Sequence, residues 1–356
     1  MGRWTQRGDA AAIALGTQPD ALASKIIVVP STPSAAEIEH AARLLREGRL
    51  VAFPTETVYG LGANALDADA VARIYAAKRR PATSPLIVHV ASIEMALTVV
   101  SAWPETAALL AKKFWPGPLT LVLPKSAAIP LIVTAGLSTV GLRMPSHPVA
   151  LGLIRAAGVP LAAPSANRFT ELSPTTAEHV RRSLGKDVDC ILDGGPCDVG
   201  IESTVLSLVE ERPVLLRPGG ISRVDLESTV GTEIRSSMGT LIDHIDSADA
   251  PIGGAHRAPG MHARHYSPRT RLFLVSNGEL PSQGRGVYLQ HTRAPKYAGA
   301  AVVQMPGSAG DYAGLLYSTL HEADNANVDW IAVDLPPASA EWEAVHDRLR
   351  RAAHRD

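Results

Sequence analysis

Four polar clusters in the longer, N-terminal part of the chain have the residue types and spacing to hold an anionic ligand. The first, Pro54-Thr55-Glu56-Thr57-Val58-Tyr59-Gly60-Leu61-Gly62, reads as a turn dense in hydroxyls and glycines directly after a strand. Glycines let backbone amides approach an anion and threonines can donate to it, although an ordinary strand-to-loop turn has the same make-up. The second, Lys78-Arg79-Arg80-Pro81, puts three cations at a helix C-terminus. They either complement the helix dipole on a solvated face or, turned by Pro81 across a strand end, clamp phosphates. His89 closes the next apolar strand on the side of Ile87, as a core residue or a ligand. The third, Ser138-Thr139-Val140-Gly141-Leu142-Arg143-Met144-Pro145, sets a guanidinium inside an apolar strand, which is costly without an anion. No acidic residue lies within eight positions of Arg143, so its partner is a ligand carboxylate or an acid from elsewhere in the fold. The fourth, Ala163-Pro164-Ser165-Ala166-Asn167, followed by Ser173, Ser203 and Arg217, supplies small donors suited to phosphates and sugar hydroxyls.

Motifs that are missing narrow the chemistry. The chain has no Walker A loop, no serine nucleophile elbow, no His-Glu-x-x-His and no Asp-rich metal loop, and no strong base is paired with an obvious nucleophile. Such a site works by positioning substrates and stabilising charge on phosphate. With 34 Lys+Arg against 35 Asp+Glu the net charge is -1, and aromatics are 4%, so neither a global basic field nor a base-stacking platform exists and any RNA contact must be local. At 46% hydrophobic and 19% charged, the chain can bury a full core. Two cysteines, Cys190 and Cys197, form neither a disulfide framework nor a zinc ligand set, which fits a reducing cytoplasm. No apolar run is long enough for a membrane span, so a soluble protein is expected.

Elements able to position these clusters follow from periodicity. Residues 1–24 lack a clear period and read as a disordered tail. Ser34 with Glu37 forms a capping box, Ile38, Ala41, Ala42 and Leu45 recur at helical spacing, and Gly48 sits where a C-terminal cap belongs. Strands are expected at 50–53, 86–90, 119–123, 140–144, 160–163, 189–192, 203–209 and 214–217, with helices at 69–78, 105–114, 149–157 and 176–184. This alternation predicts an α/β fold with an open twisted mixed sheet over 25–230. The period is lost over 231–268, which reads as a linker or lid. Residues 269–356 then show strands at 271–275, 286–290, 301–304 and 330–334 and helices at 312–323 and 342–353, a second, smaller Rossmann-like α/β domain without a Gly-x-Gly-x-x-Gly fingerprint.

Taken in order, the clusters resemble the YrdC-like family, and the whole chain resembles its two-domain long form. The matches are Pro54 to Gly62, Lys78 to Pro81 with Pro85-Leu86-Ile87-Val88-His89, Pro116-Gly117-Pro118-Leu119-Thr120 and Ser165-Ala166-Asn167. They continue through Asp193-Gly194-Gly195, Glu202-Ser203-Thr204-Val205 and Leu216-Arg217-Pro218-Gly219, and through Pro259-Gly260-Met261 with Arg264-His265-Tyr266-Ser267-Pro268 in the linker. The resemblance implies a nucleotidyltransferase reaction in which L-threonine, bicarbonate and ATP give threonylcarbamoyl-AMP and pyrophosphate. Downstream tRNA threonylcarbamoyl-transfer enzymes then modify the adenosine beside the anticodon. By position it implies that Thr57, His89, Arg143, Ala163 and Ser203 hold threonine. Arg80, Ser84, Thr139, Ser165, Ser173 and Arg217 hold ATP, Lys78 and Asn167 complete the phosphate region, and Tyr266 reaches over the nucleotide. The resemblance further implies that Lys78 and Arg80 are the catalytic cations and that Mg²⁺ is held through the ATP phosphates, with no metal site expected on the protein. Stable tRNA binding and membrane association are not expected, and a cytoplasmic location is. Departures from the family are Ser84 where Asn is usual, and His262 and Ala263 in place of Lys and Tyr. His256, His262 and His265 lack a nearby carboxylate or Cys and read as a polar linker rather than a metal site. An RNA-binding module is disfavoured by the near-neutral charge. A carbamoyltransferase of the hydrogenase-maturation type would carry zinc-finger modules that two cysteines cannot build.

Overall fold

The computed structural model describes residues 27–29, 32–236, 265–295 and 300–354. Helix α1 (Ala35–Arg46) starts where the sequence places its capping box: Ser34 Oγ accepts from the Glu37 N–H, and the Glu37 carboxylate accepts from the Ser34 N–H at 2.8 Å. Helix α2 (Ala68–Lys78) is capped by Asp67, whose carboxylate accepts from the amides of Asp69 and Ala70. The remaining helices around the first sheet are α3 (Ile93–Val99), α4 (Glu105–Phe114), α5 (Pro148–Ala157), α6 (Ala177–Leu184) and α7 (Arg223–Val230). Of these, α3 and α7 have no counterpart in the periodicity, being short and only weakly patterned.

Among the described residues eleven strands make one mixed sheet. In chain order they are β1 (Ile27–Val29), β2 (Val51–Phe53), β3 (Gly60–Asn64), β4 (Ile87–His89), β5 (Leu119–Pro124), β6 (Thr139–Arg143), β7 (Leu161–Ala162), β8 (Cys190–Leu192), β9 (Thr204–Ser207), β10 (Val214–Arg217) and β11 (Arg235–Ser236). In space the order is β1-β8-β2-β3-β7-β4-β6-β5-β9-β10-β11. Parallel pairs such as β4 with β6 alternate with antiparallel ones such as β2 with β3, the mixed character expected from the sequence. Residues 235–236 lie in the stretch read as linker but pair with β10 and extend the sheet edge. The rest of that stretch up to residue 264, including His256, His262 and Ala263, lies outside the described residues, as do residues 1–24.

The segment from Gly60 to Gly62 departs from its reading as an anion-binding turn, because Gly60–Asn64 is strand β3, antiparallel to β2. Phe53 is fully buried, and a Cβ on Gly62 would come within 2.8 Å of its ring. The glycine here admits an aromatic ring under a strand, not a phosphate against a loop.

The second sheet is wholly parallel, with β12 (Arg271–Val275), β13 (Gly286–Gln290), β14 (Ala300–Gln304) and β15 (Trp330–Asp334) in the order β12-β15-β13-β14. Helices α8 (Ala309–Asn325) and α9 (Glu343–Ala353) accompany it. Helix α8 turns Tyr312, Leu316, Tyr317 and Leu320 into an apolar cluster that also contains Val58, Leu172 and Ile201 of the first domain. The two domains therefore share a core, each such side chain contributing about 1.5–3 kcal/mol when fully buried. Their main chains also touch: a Cβ on Gly200 would lie 2.5 Å from the Gly314 carbonyl oxygen. Among the described residues no helix is long and apolar enough to cross a membrane.

Candidate active site

A cleft opens where the strand ends of the first sheet meet residues 265–266. It gathers Thr57, Arg80, His89, Arg143 and Ala163, together with Ser165, Ser203, Arg217 and Tyr266, nine of the residues singled out from sequence. Five others lie outside its wall. Thr139 borders a smaller neighbouring pocket that shares Ile87, and Lys78, Ser84, Asn167 and Ser173 are buried behind the lining.

The cationic triplet at the end of α2 divides. Arg79 caps the helix in the left-handed conformation at φ 52° and points to solvent, whereas Lys78 and Arg80 are buried. Neither of the latter is dipole decoration on a wet face. Arg80 donates from Nε to Ser84 O at 3.3 Å and from Nη2 to Pro85 O at 3.1 Å, and it lies 5.7 Å from the Phe169 ring centre. Burial presses the Arg80 guanidinium down to about 10, which leaves it charged at neutral pH. Lys78 Nζ donates to Ser165 O at 2.5 Å and to Asn167 O. Burial first, and Arg80 second, hold this ammonium well below its usual range. Lys78 thus ties down the Ser165-Ala166-Asn167 loop from behind. Asn167 Nδ2 donates to Arg168 O and Glu171 O, which continues the bracing.

Arg143 finds an acid on another element. Its Nη2 lies 2.7 Å from Glu56 Oε1, an ion pair with both side chains almost wholly buried. Nη1 donates to Thr57 Oγ1 at 2.9 Å and Nε to Gly117 O at 3.2 Å. Burial alone would raise the Glu56 carboxyl, but Arg143 beside it and the Ser146 N–H outweigh this and hold it below its ordinary value. A ligand carboxylate is therefore not needed to neutralise Arg143. Beside it, His89 is pushed down to about 3 by burial and then by Arg143, so the imidazole is neutral. Its Nδ1 lies 3.3 Å from Ile87 O, a carbonyl that can only accept, which favours the tautomer protonated on Nδ1.

Also in the lining, Arg217 donates from Nε and Nη2 to Ser203 O at 3.1 and 3.0 Å, and from Nη2 to Ser203 Oγ at 3.2 Å. Ser203 Oγ is in turn 2.8 Å from Thr120 Oγ1. Ser173 does not face the cleft, because its hydroxyl donates to Glu202 Oε1 at 2.5 Å. Tyr266 sits at φ 60°, fully buried, with a phenol oxygen that has no hydrogen-bond partner among the described residues. The pattern of the sequence did not single out Glu56, Glu202 or Arg348 for a role. Glu56 and Glu202 each left a faint trace, an acid among hydroxyls beside an apolar strand. Arg348 left none, since an arginine in an amphipathic helix reads as a solvated residue.

Residues 43–219 match the Sua5/YciO/YrdC family pattern, whose description reads Telomere recombination, and residues 221–354 match the pattern described as Threonylcarbamoyl-AMP synthase, C-terminal domain. The threonylcarbamoyl-AMP synthase of Pyrococcus abyssi is 42% identical over 330 residues, covering 89% of this chain and 94% of the relative. The Bacillus subtilis protein of the same name is 43% identical over 333 residues, with 89% and 93% covered. The crystal structure of P. abyssi Sua5 complexed with L-threonine superposes with a TM-score of 0.82 at 40% identity, covering 93% of this chain and 98% of that one. With both domains matched across nearly the full length of these relatives, the chain belongs to the two-domain threonylcarbamoyl-AMP synthase family of YrdC-like nucleotidyltransferases.

Proposed function

We propose that this cleft joins L-threonine, bicarbonate and ATP into threonylcarbamoyl-AMP, releasing pyrophosphate, and that the product supplies the threonylcarbamoyl group for the adenosine next to the tRNA anticodon. The observation that carries the reading is the convergence of three buried arginines, Arg80, Arg143 and Arg217, on one cleft whose two nearby carboxylates, Glu56 and Glu202, are both already paired with arginine. The net field in the cleft favours anions. The threonine complex of the P. abyssi relative supports threonine as one of them.

Arg143 keeps N–H groups beyond those given to Glu56, Thr57 and Gly117, and these receive the threonine carboxylate. Thr57, Ala163 and Ser203 shape the pocket around it, and His89, neutral, offers Nε2 as an acceptor for the threonine amine or hydroxyl. The amine attacks the carbon of bicarbonate, water leaves, and a carbamate forms. A carbamate oxygen then attacks the α-phosphorus while the bond to pyrophosphate breaks. Arg80 and Arg217 stabilise the charge gathering on phosphate oxygens. Ser165 contributes a hydroxyl, Ser84, Thr139 and Asn167 complete the nucleotide region, Ser173 supports it from behind through Glu202, and Tyr266 covers it. Lys78 acts by fixing the loop that carries Ser165.

Among the described residues no group of three or more His, Cys, Asp or Glu side chains is placed to hold a metal. With Glu56 and Glu202 committed to arginines, Mg²⁺ fits as a companion of the ATP phosphates, where it would neutralise charge on the leaving pyrophosphate. Downstream transfer to tRNA requires a separate partner enzyme, and a cytoplasmic location goes with that role. The deciding measurement is pyrophosphate release by purified protein with threonine, bicarbonate, ATP and Mg²⁺. Release should stop when threonine is omitted, and threonine-independent release, or none at all, would sink the proposal.

A further inference from the structure

Arg348 belongs to α9 of the second domain, yet it is fully buried against the cleft of the first. Its Nε donates to Glu202 Oε2 at 2.6 Å, its Nη2 donates to Pro218 O at 3.1 Å, and its guanidinium carbon lies 5.2 Å from the Tyr266 ring centre. One side chain therefore holds three segments that border the cleft: the loop before Ser203, the residue after Arg217, and Tyr266. Behind it, Nη1 donates to Asp347 Oδ2 at 2.6 Å, and Arg351 Nε donates to Asp347 Oδ1 at 2.8 Å. Charge alternates along Glu202, Arg348, Asp347 and Arg351 from the cleft outward.

Glu202 is the member that meets the cleft. A carboxylate at a site for a polyphosphate is repulsive unless its charge is cancelled from the far side. We propose that Arg348 is a positioning residue for the nucleotide half of the cleft: it compensates Glu202 from the second domain, so that this carboxylate neither repels a polyphosphate nor draws Arg217 away from one. The groups facing Glu202 are Arg348 of α9, Tyr317 of α8, whose hydroxyl donates at 3.1 Å, Tyr266 of the linker, and Ser173 and Arg217 of the first domain. Burial alone would raise the Glu202 carboxyl, and Arg348 followed by Arg217 brings it below its ordinary value. Without Arg348 the carboxylate either takes a proton or turns to Arg217. The inference rests on the nucleotide reading of the cleft given above, and it assigns the second domain a part in the site.

The test compares the full-length protein with Arg348→Met, Arg348→Met/Glu202→Gln and Tyr317→Phe. KM for ATP and for threonine comes from pyrophosphate release, ATP affinity from calorimetry without threonine, and folding from thermal melting. Arg348→Met should weaken ATP binding about tenfold, the scale of one charge-assisted hydrogen bond, with KM for threonine unchanged. In that variant ATP should bind more tightly as pH falls and Glu202 takes up a proton, a dependence the parent lacks. Adding Glu202→Gln should restore ATP affinity and abolish the dependence. Tyr317→Phe removes one donor without opening a cavity and should weaken ATP binding about two- to threefold, which decides the matter should Arg348→Met fail to fold. Unchanged ATP affinity in the folded variants, or a fall in kcat that only follows the melting curves, overturns the proposal. A parent protein that lacks threonine-dependent release overturns the functional reading instead, leaving ATP affinity still able to judge Arg348.

Discussion

Arg143 carries five N–H groups, and the contacts to Glu56, Thr57 and Gly117 engage them only in part. Glu56 therefore orients the guanidinium and does not exhaust it. Replacing Arg143 with Ala should raise KM for threonine far more than KM for ATP, and a variant whose threonine requirement is unaltered would overturn the assignment. Glu56→Gln should be costly for a different reason. It strands a buried cation, a loss of roughly 3–5 kcal/mol when one partner of a buried pair is removed, readable as a large drop in melting temperature. A Glu56→Gln protein as stable as the parent would show that the pair is not what holds Arg143. From sequence, the price of a guanidinium in an apolar strand was visible at Arg143, but its partner was not, because Glu56 sits on a distant segment that only the sheet brings alongside. In the same way Lys78 was legible as one of a cluster of cations, while its actual bonds, to two backbone carbonyls, depend on a loop conformation that residue types do not encode.

Strands and helices with strong periodicity emerged nearly as expected: α4 spans Glu105–Phe114, β10 spans Val214–Arg217, and β12 and β15 match their expected limits. The miss at β3 has a physical cause. A strand of Gly-Leu-Gly-Ala-Asn lacks the β-branched and aromatic residues that mark strands, and its glycines are required by the Phe53 ring beneath it. That ring also meets His89 edge-on at 6.1 Å. Gly62→Ala should push the ring toward His89, destabilise the fold by about 1–3 kcal/mol, and raise KM for threonine more than KM for ATP. Thermal melting with paired KM measurements checks this, and a variant with parental stability would refute the packing account.

Across the whole molecule, the two domains meet at a second titratable pair besides the buried ion pair. His179 of α6 and His321 of α8 stack with ring centres 3.8 Å apart, and His321 Nε2 lies 3.1 Å from Ser173 O. Burial pushes them down to about 3 and about 4, His179 also feeling His321 and Arg182, and His321 held up in part by the Ser173 carbonyl and Asp324. Unfolded imidazoles take a proton near pH 6.5, so from about pH 6.5 down to about pH 4 the unfolded chain binds the extra protons and stability falls as pH falls. The melting temperature should therefore decline between about pH 7 and about pH 4.5 more steeply in the parent than in a His179→Gln/His321→Gln variant, and parallel curves would count against the pair. A final consequence comes from Gly200 and Gly314, whose main chains touch with no side chain between them. A side chain at either position would meet main chain of the other domain, 2.5 Å from the Gly314 carbonyl oxygen at position 200 and 3.1 Å from the Asp198 carbonyl oxygen at position 314, so it is these two glycines that let α8 close on the 198–201 loop.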